Sequence, residues 1–268
     1  MRDIIAGIAL FALSLSSAWA ESGPRPLVTA DEGRDYEAVG RIELDTFSFC
    51  TGTLISENHV LTAAHCLYDS TTRARRDLAK LEFRAGLRDG RAVAYRGVRR
   101  AILHPDYVFQ GTEGSAVRVA NDLALLELDR PIRESDVRPF RIAAKPRKGD
   151  EVGVVSYAIH REERPSLERL CDVLARPANM IVISCSVDFG ASGAPILTFD
   201  AGEPRVVSVV SAKAEAMGRP VSLGTDLERP LARLFELARA PQAAVARRAA
   251  PVTRNTGSAG QSAKFLKP

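Results

Sequence analysis

The chain of 268 residues has room for one large domain or two small ones, and its 46% hydrophobic content excludes a chain that is disordered throughout. Its formal charge of +4 is unevenly placed: Arg247, Arg248, Arg254, Lys264 and Lys267 stand in residues 241–268 without one acid, so the body is close to neutral. A second basic cluster, residues 73–100, sets ten Arg or Lys against Asp77, Glu82 and Asp89; with no recognisable nucleic-acid-binding motif it reads as a solvated face, no nucleic-acid partner is expected, and weak anionic-surface binding by the basic segments is the alternative.

In chain order, Met1 to Ala20 carries Arg2, an apolar run from Ile4 to Leu15 and the small-residue site Ala18-Trp19-Ala20, which is the pattern of a secretory signal peptide. The run is too short to span a bilayer comfortably, and no later segment is long and apolar enough for a transmembrane anchor. Residues 21–35 are rich in Pro, Gly and charge and are expected to be a flexible leader or propeptide. From Tyr36 onward short apolar runs alternate with turns: Val39 to Leu44, Thr51 to Ile55, Val60 to Ala63, Leu81 to Leu87, Ala92 to Leu103 and Leu123 to Leu128. After the polar link Asp129 to Pro139 a second set follows: Glu151 to Ala158, Leu170 to Leu174, Met180 to Val187, Ala194 to Thr198, Arg205 to Ser211 and Val221 to Thr225. Strands at this spacing without helical periods predict an all-β barrel or sandwich. Asp226 is placed to cap a helix over Leu227 to Arg239, with Leu227, Leu231, Leu234, Phe235 and Ala238 on one face. The tail 240–268 has no apolar period and is expected to be disordered.

Three motifs carry chemistry. The stretch Cys50-Thr-Gly-Thr-Leu-Ile to Ala-Ala-His65-Cys66 puts an imidazole at a corner between cysteines, Asn121-Asp122 puts a carboxylate at the head of an apolar strand, and Gly190-Ala-Ser192-Gly puts a hydroxyl in a glycine-flanked turn. An imidazole acts as general base when a hydroxyl nucleophile lies on one side and a carboxylate on the other. Taken singly, each has a bland reading as well: a core histidine, a strand-end carboxylate, a turn serine. His59, His104 and His160 lack such neighbours and are expected to be surface or structural residues. Export to an oxidising compartment predicts that the four cysteines form two disulfides, for which three pairings exist, and single cysteines without a Cys-x-x-Cys argue against zinc.

In the order His, Asp, Ser, these motifs resemble the chymotrypsin-like serine proteases from about Tyr36 to about Arg239, and Thr-Gly-Thr-Leu-Ile is most similar to the bacterial glutamyl-endopeptidase branch. The resemblance implies two packed six-stranded antiparallel β-barrels, about 36–130 and 140–226, with a closing helix over 227–239. It implies a triad of His65, Asp122 and Ser192, an oxyanion hole from the N–H groups of Gly190 and Ser192, and disulfides Cys50–Cys66 and Cys171–Cys185. No cofactor and no metal are expected, the partners are protein or peptide substrates, and the chain is expected to be a monomer. A catalytically silent protease fold acting as a binding module is the competing function.

Departures from the family pattern bear on specificity and activation. Ala191 stands where an aspartate would receive the new N-terminus on activation, so activation, if any, uses another contact or simple removal of the leader. Ser186, expected at the base of the primary pocket, carries no charge to hold Arg or Lys, and the wall is expected from Val210, Ser211, Ala212 and Lys213. An inward Lys213 would favour acidic side chains; an outward one would leave a small neutral pocket.

Overall fold

A computed structural model describes residues 23–109, 116–199, 202–240 and 264–265. The expected signal segment, and the tail apart from residues 264–265, lie outside these. The segment expected to be a flexible leader is packed where it is described. β1 (Arg25–Pro26) pairs antiparallel with Leu167 and Ser166, and Leu27, 1% exposed, donates its N–H to Pro165 O at 3.0 Å. The helix α1 (Ala30–Arg34) follows behind a capping box in which Thr29 Oγ1 accepts from Glu32 N–H and the Glu32 carboxylate accepts from Thr29 N–H. Arg88 of the first barrel donates to the carbonyls of Leu27 and Val28 at 2.6 and 2.8 Å. One buried leucine and these bonds tie the segment to both halves of the molecule.

The first barrel comprises β2 (Val39–Glu43), β3 (Phe49–Ser56), β4 (His59–Thr62), β5 (Glu82–Ala85), β6 (Ala94–Leu103) and β7 (Ala124–Leu128), closed in the order β2-β3-β4-β7-β6-β5. Val39, Ile42, Leu54, Leu61, Phe83 and Leu125 are fully buried, which fixes the register because a one-residue slip would send them to solvent. A short helix, α2 (Ala116–Asn121), leads into β7. The second barrel comprises β8 (Glu151–Ala158), β9 (Arg161–Ala175), β10 (Met180–Ile183), β11 (Pro195–Thr198), β12 (Arg205–Ala216) and β13 (Arg219–Asp226), and the pairing of β8 with β9 closes it. The two six-stranded antiparallel barrels expected from the resemblance are thus present.

The closing helix α3 (Glu228–Arg239) buries Leu231 and Leu234 and rests on the first barrel, where His59 meets the Phe235 ring edge-on at 5.7 Å. It starts one residue later than expected, and Leu227 holds the N-cap position. Asp226, the expected cap, stands one residue before that position: its Oδ1 accepts the Glu228 N–H at 3.3 Å, while its Oδ2 holds Lys145 Nζ at 2.9 Å and Arg176 Nη2 at 2.8 Å. At the other end Arg100 donates to the carbonyls of Leu237 and Ala238, a cation on the negative end of the helix dipole. Of the tail expected to be disordered, residues 264–265 are described, and there β14 (Lys264–Phe265) pairs antiparallel with Glu215 and Ala214 of β12.

Candidate active site

His65 sits in the 3-10 turn Ala64–Leu67 that follows β4, and the disulfide Cys50–Cys66 ties that turn back to β3. The second disulfide joins Cys171 to Cys185, so both expected pairings are present. Two groups of potential metal ligands, Cys50 with His65 and Cys66, and Glu168 with Cys171 and Cys185, are built on these bonded sulfurs, which have no thiolate to offer a metal.

Asp122 lies between α2 and β7 and is wholly buried. Its Oδ1 accepts the backbone N–H of His65 at 2.8 Å, and its Oδ2 pairs with His65 Nδ1 at 2.7 Å and accepts from Ser211 Oγ at 2.5 Å. Arg118, one helical turn earlier in α2 and itself almost fully buried, brings Nη1 to 3.5 Å from the same oxygen. Burial by itself raises the pKa of this carboxyl, but the charge and hydrogen bond of His65, the Arg118 guanidinium and the Ser211 hydroxyl outweigh it and hold the pKa below the ordinary aspartate value. The imidazole is therefore gripped from behind, at Nδ1 and through the His65 backbone N–H, by an ionised group.

The loop carrying Ser192 belongs to the second barrel, and a side chain of the first barrel holds it. Thr51 of β3 donates its N–H to Ser192 O at 2.9 Å and its hydroxyl to Gly190 O at 2.9 Å, while accepting the Tyr157 N–H at 3.1 Å. Gly193, at φ +82°, passes so close that a Cβ there would lie 2.1 Å from Thr62 Oγ1 and 2.2 Å from Thr51 O. Gly190, at φ +95°, could carry a Cβ only by overlapping the Phe49 ring. The N–H groups of Gly190 and Ser192 donate to no other group among the described residues. Ala191 is buried and bonds only within the loop, to Asp188 O and from Ala194 N–H, so no buried charge awaits a new N-terminus there.

His65, Ser192, Ser211 and Lys213 line one cleft between the barrels, of about 260 Å³, with Phe49, Tyr68 and Phe109 as apolar walls. Tyr68 and Phe109 stack at 4.8 Å. Of the expected pocket residues, Val210, Ser211, Ala212 and Lys213 line this cleft; Ser186 is not among its lining residues, and its N–H donates to Glu168 Oε2 at 2.9 Å. Lys213 lays its ammonium 4.3 Å above the Phe189 ring and 3.6 Å from Asp188 Oδ1, so it stands in the cleft with a carboxylate beside it. Sequence reasoning missed Arg118, Thr51 and Asp188. Only Arg118 left a trace, as a cation four residues before Asp122.

Two closed barrels, an imidazole backed by a buried carboxylate on one, and a glycine-flanked serine from the other facing the same cleft define the chymotrypsin-like serine-protease class. A family model described as Trypsin matches residues 28–225, and the chain belongs to that family. Among curated proteins it is 27% identical to "Serine protease 23" of Homo sapiens over 163 residues, 55% of this chain and 42% of that protein. It is 36% identical to "Trypsin" of Phaedon cochleariae over 106 residues, 39% of this chain and 36% of that protein. The chain thus spans less than half the length of these relatives. Among solved structures a "Glu endopeptidase in complex with MPD" superposes with a TM-score of 0.64 at 20% identity, covering 82% of this chain and 97% of that one, a likeness of fold.

Proposed function

We propose that the chain is a secreted serine endopeptidase that cleaves peptide bonds through His65, Asp122 and Ser192. The observation that carries this reading is the wholly buried Asp122, bonded through both oxygens to His65, with that imidazole and Ser192 lining one cleft. Ser192 Oγ attacks the scissile carbonyl carbon while His65 takes its proton. The oxyanion is received by the N–H groups of Gly190 and Ser192, and collapse expels the amine, which leaves with the proton from His65. Water, deprotonated by the same imidazole, then releases the acyl group from Ser192 and restores the enzyme. Two disulfides and the N-terminal apolar run support export, with residues 21–35 retained or removed on maturation.

Specificity is proposed as acidic or small neutral rather than basic. Lys213 supports this by standing in the cleft, and Asp188 beside it tempers the preference for acids. Labelling with a fluorophosphonate tests the reading: the expected result is one adduct on Ser192, lost in Ser192→Ala and His65→Ala proteins that keep the wild-type fold. Wild-type peptidase activity in pure Ser192→Ala protein would refute the assignment. Peptide-library cleavage by wild type and Lys213→Ala tests the pocket, and efficient cleavage after Arg would overturn it.

A further inference from the structure

The two edges of β12 have different neighbours. β13 pairs one edge from Ser208 to Ala216, whereas β11 pairs the other only from Arg205 to Val209. At Val210 that second ladder passes to the serine loop, with Gly193 N–H donating to Val210 O at 2.8 Å and Val210 N–H to Ala194 O at 2.9 Å. The next three residues, Ser211, Ala212 and Lys213, line the cleft beside Ser192. A strand edge past its last partner offers N–H and C=O groups to any extended chain that approaches.

Further along, β12 has a tenant. Ala214 pairs with Phe265 and Glu215 with Lys264, and because β13 holds Val221 and Pro220 against the same two residues on the far side, β14 lies on the edge that continues from the cleft. The pairing is antiparallel, which fixes direction. β12 leaves the cleft as it runs from Ser211 to Ala216, so the paired chain runs toward the cleft, reaching Glu215 first and Ala214 second. An extended peptide continuing in that register meets Lys213, Ala212 and Ser211 within about 10 Å, at the ~3.3 Å rise of a strand.

Resting on the proteolytic reading of the cleft, we propose that the C-terminal segment carrying Lys264–Phe265 is a built-in competitor for the substrate strand. It occupies the outer part of the β12 edge in the direction that points at Ser192, and an extended substrate must displace it to pair there. The contact is short, so its intrinsic affinity is low. Being part of the same chain, however, it competes at an effective concentration that reaches the millimolar range. The consequence is a raised KM for long peptides with little change for a substrate too short to reach Ala214.

The test compares the full chain, a chain ending at Ala240, and a full chain carrying Lys264→Pro and Phe265→Pro, which removes both backbone donors from β14. Each is assayed on an octapeptide and on a single-residue ester, with unfolding curves to verify the fold. Both variants are expected to lower KM for the octapeptide by about fivefold, with kcat and the ester kinetics unchanged. A synthetic peptide of residues 257–268 is expected to restore the high KM of the shortened chain and to bind its Ser192→Ala form by fluorescence anisotropy, a readout that needs no catalysis. Equal octapeptide KM in all three chains, or absence of peptide binding, would overturn the proposal. A KM that rises with enzyme concentration would also overturn it, by placing the tail on a second copy. If no chain turns over either substrate the proteolytic reading fails, and peptide binding alone still decides whether the edge takes this segment.

Discussion

Ser211→Ala is the perturbation that most directly tests how the carboxylate behind His65 is held. The hydroxyl donates to a wholly buried Asp122 Oδ2 at 2.5 Å and is itself buried, so no water stands ready to replace it. A hydrogen bond to a charged acceptor contributes about 1.5–3 kcal/mol, so the loss in unfolding free energy at neutral pH is set at about 2 kcal/mol. For a domain of this size that lowers Tm by about 4–8 °C. The deficit should also depend on pH. The folded Asp122 carboxyl lies below its ordinary pKa, so its stabilisation is complete above the unfolded value and is lost as pH falls through the folded one. The Ser211 hydroxyl is one of the groups that lower that pKa, so the deficit is full at pH 7 and shrinks below about pH 4. Ser208→Ala is the control. Its hydroxyl, on the same strand and equally buried, donates to the uncharged Thr225 carbonyl at 2.7 Å, so its deficit should be about 1 kcal/mol and flat with pH. Urea unfolding of both variants from pH 7 to pH 3 provides the comparison. If Ser211→Ala loses no more than Ser208→Ala, or loses the same amount at every pH, the hydroxyl does not support an ionised Asp122 and the argument fails.

Replacing Cys50 and Cys66 by alanine opens a loop with a sequence separation of 16 and should cost about 3 kcal/mol in the chain-entropy model, read as a lower urea midpoint; an unchanged midpoint would refute it. Gly193→Ala should prevent folding or leave a protein with no Ser192 labelling, because its Cβ overlaps both Thr62 Oγ1 and Thr51 O; normal labelling and melting would contradict the close packing of the serine loop against β3. Asp226→Asn should cost about 2 kcal/mol at pH 7, since Arg176 and Lys145 lose their shared carboxylate. Burial pushes its pKa up, but the hydrogen bonds from Lys145 and the Glu228 N–H and the charges of Lys145 and Arg176 outweigh that and hold it down, so this difference should also fade as pH drops below about 4. A difference that persists undiminished at pH 3 would count against that account.

How far the sequence reached is best seen residue by residue. Strand positions were legible because the period-two pattern is local: Val39 to Leu44 and Glu151 to Ala158 coincide closely with β2 and β8. The four cysteines announced two bridges but not their pairing, which came from the family resemblance, as did the association of His65 with Asp122 across 57 residues. The packing of residues 25–34 was hidden behind their composition; Thr29 followed three residues later by Glu32 is a capping box, and Leu27 is the one side chain it had to bury. Helix α3 was foreseen from its apolar face, with Asp226 at its start, while the ion pairs of that carboxylate were not, since Lys145 and Arg176 reach it from distant segments. By itself, then, the sequence determined the elements and the chemical types of the candidate site residues, both of which rest on spacing of a few positions. Only the tertiary structure decided that Thr51 anchors the serine loop, that Arg118 shares Asp122 with His65, that Asp188 sits beside Lys213, and that β14 takes the edge of β12. Each of these depends on which surfaces meet when two closed barrels pack, a property of the folded chain that short-range periodicity does not encode.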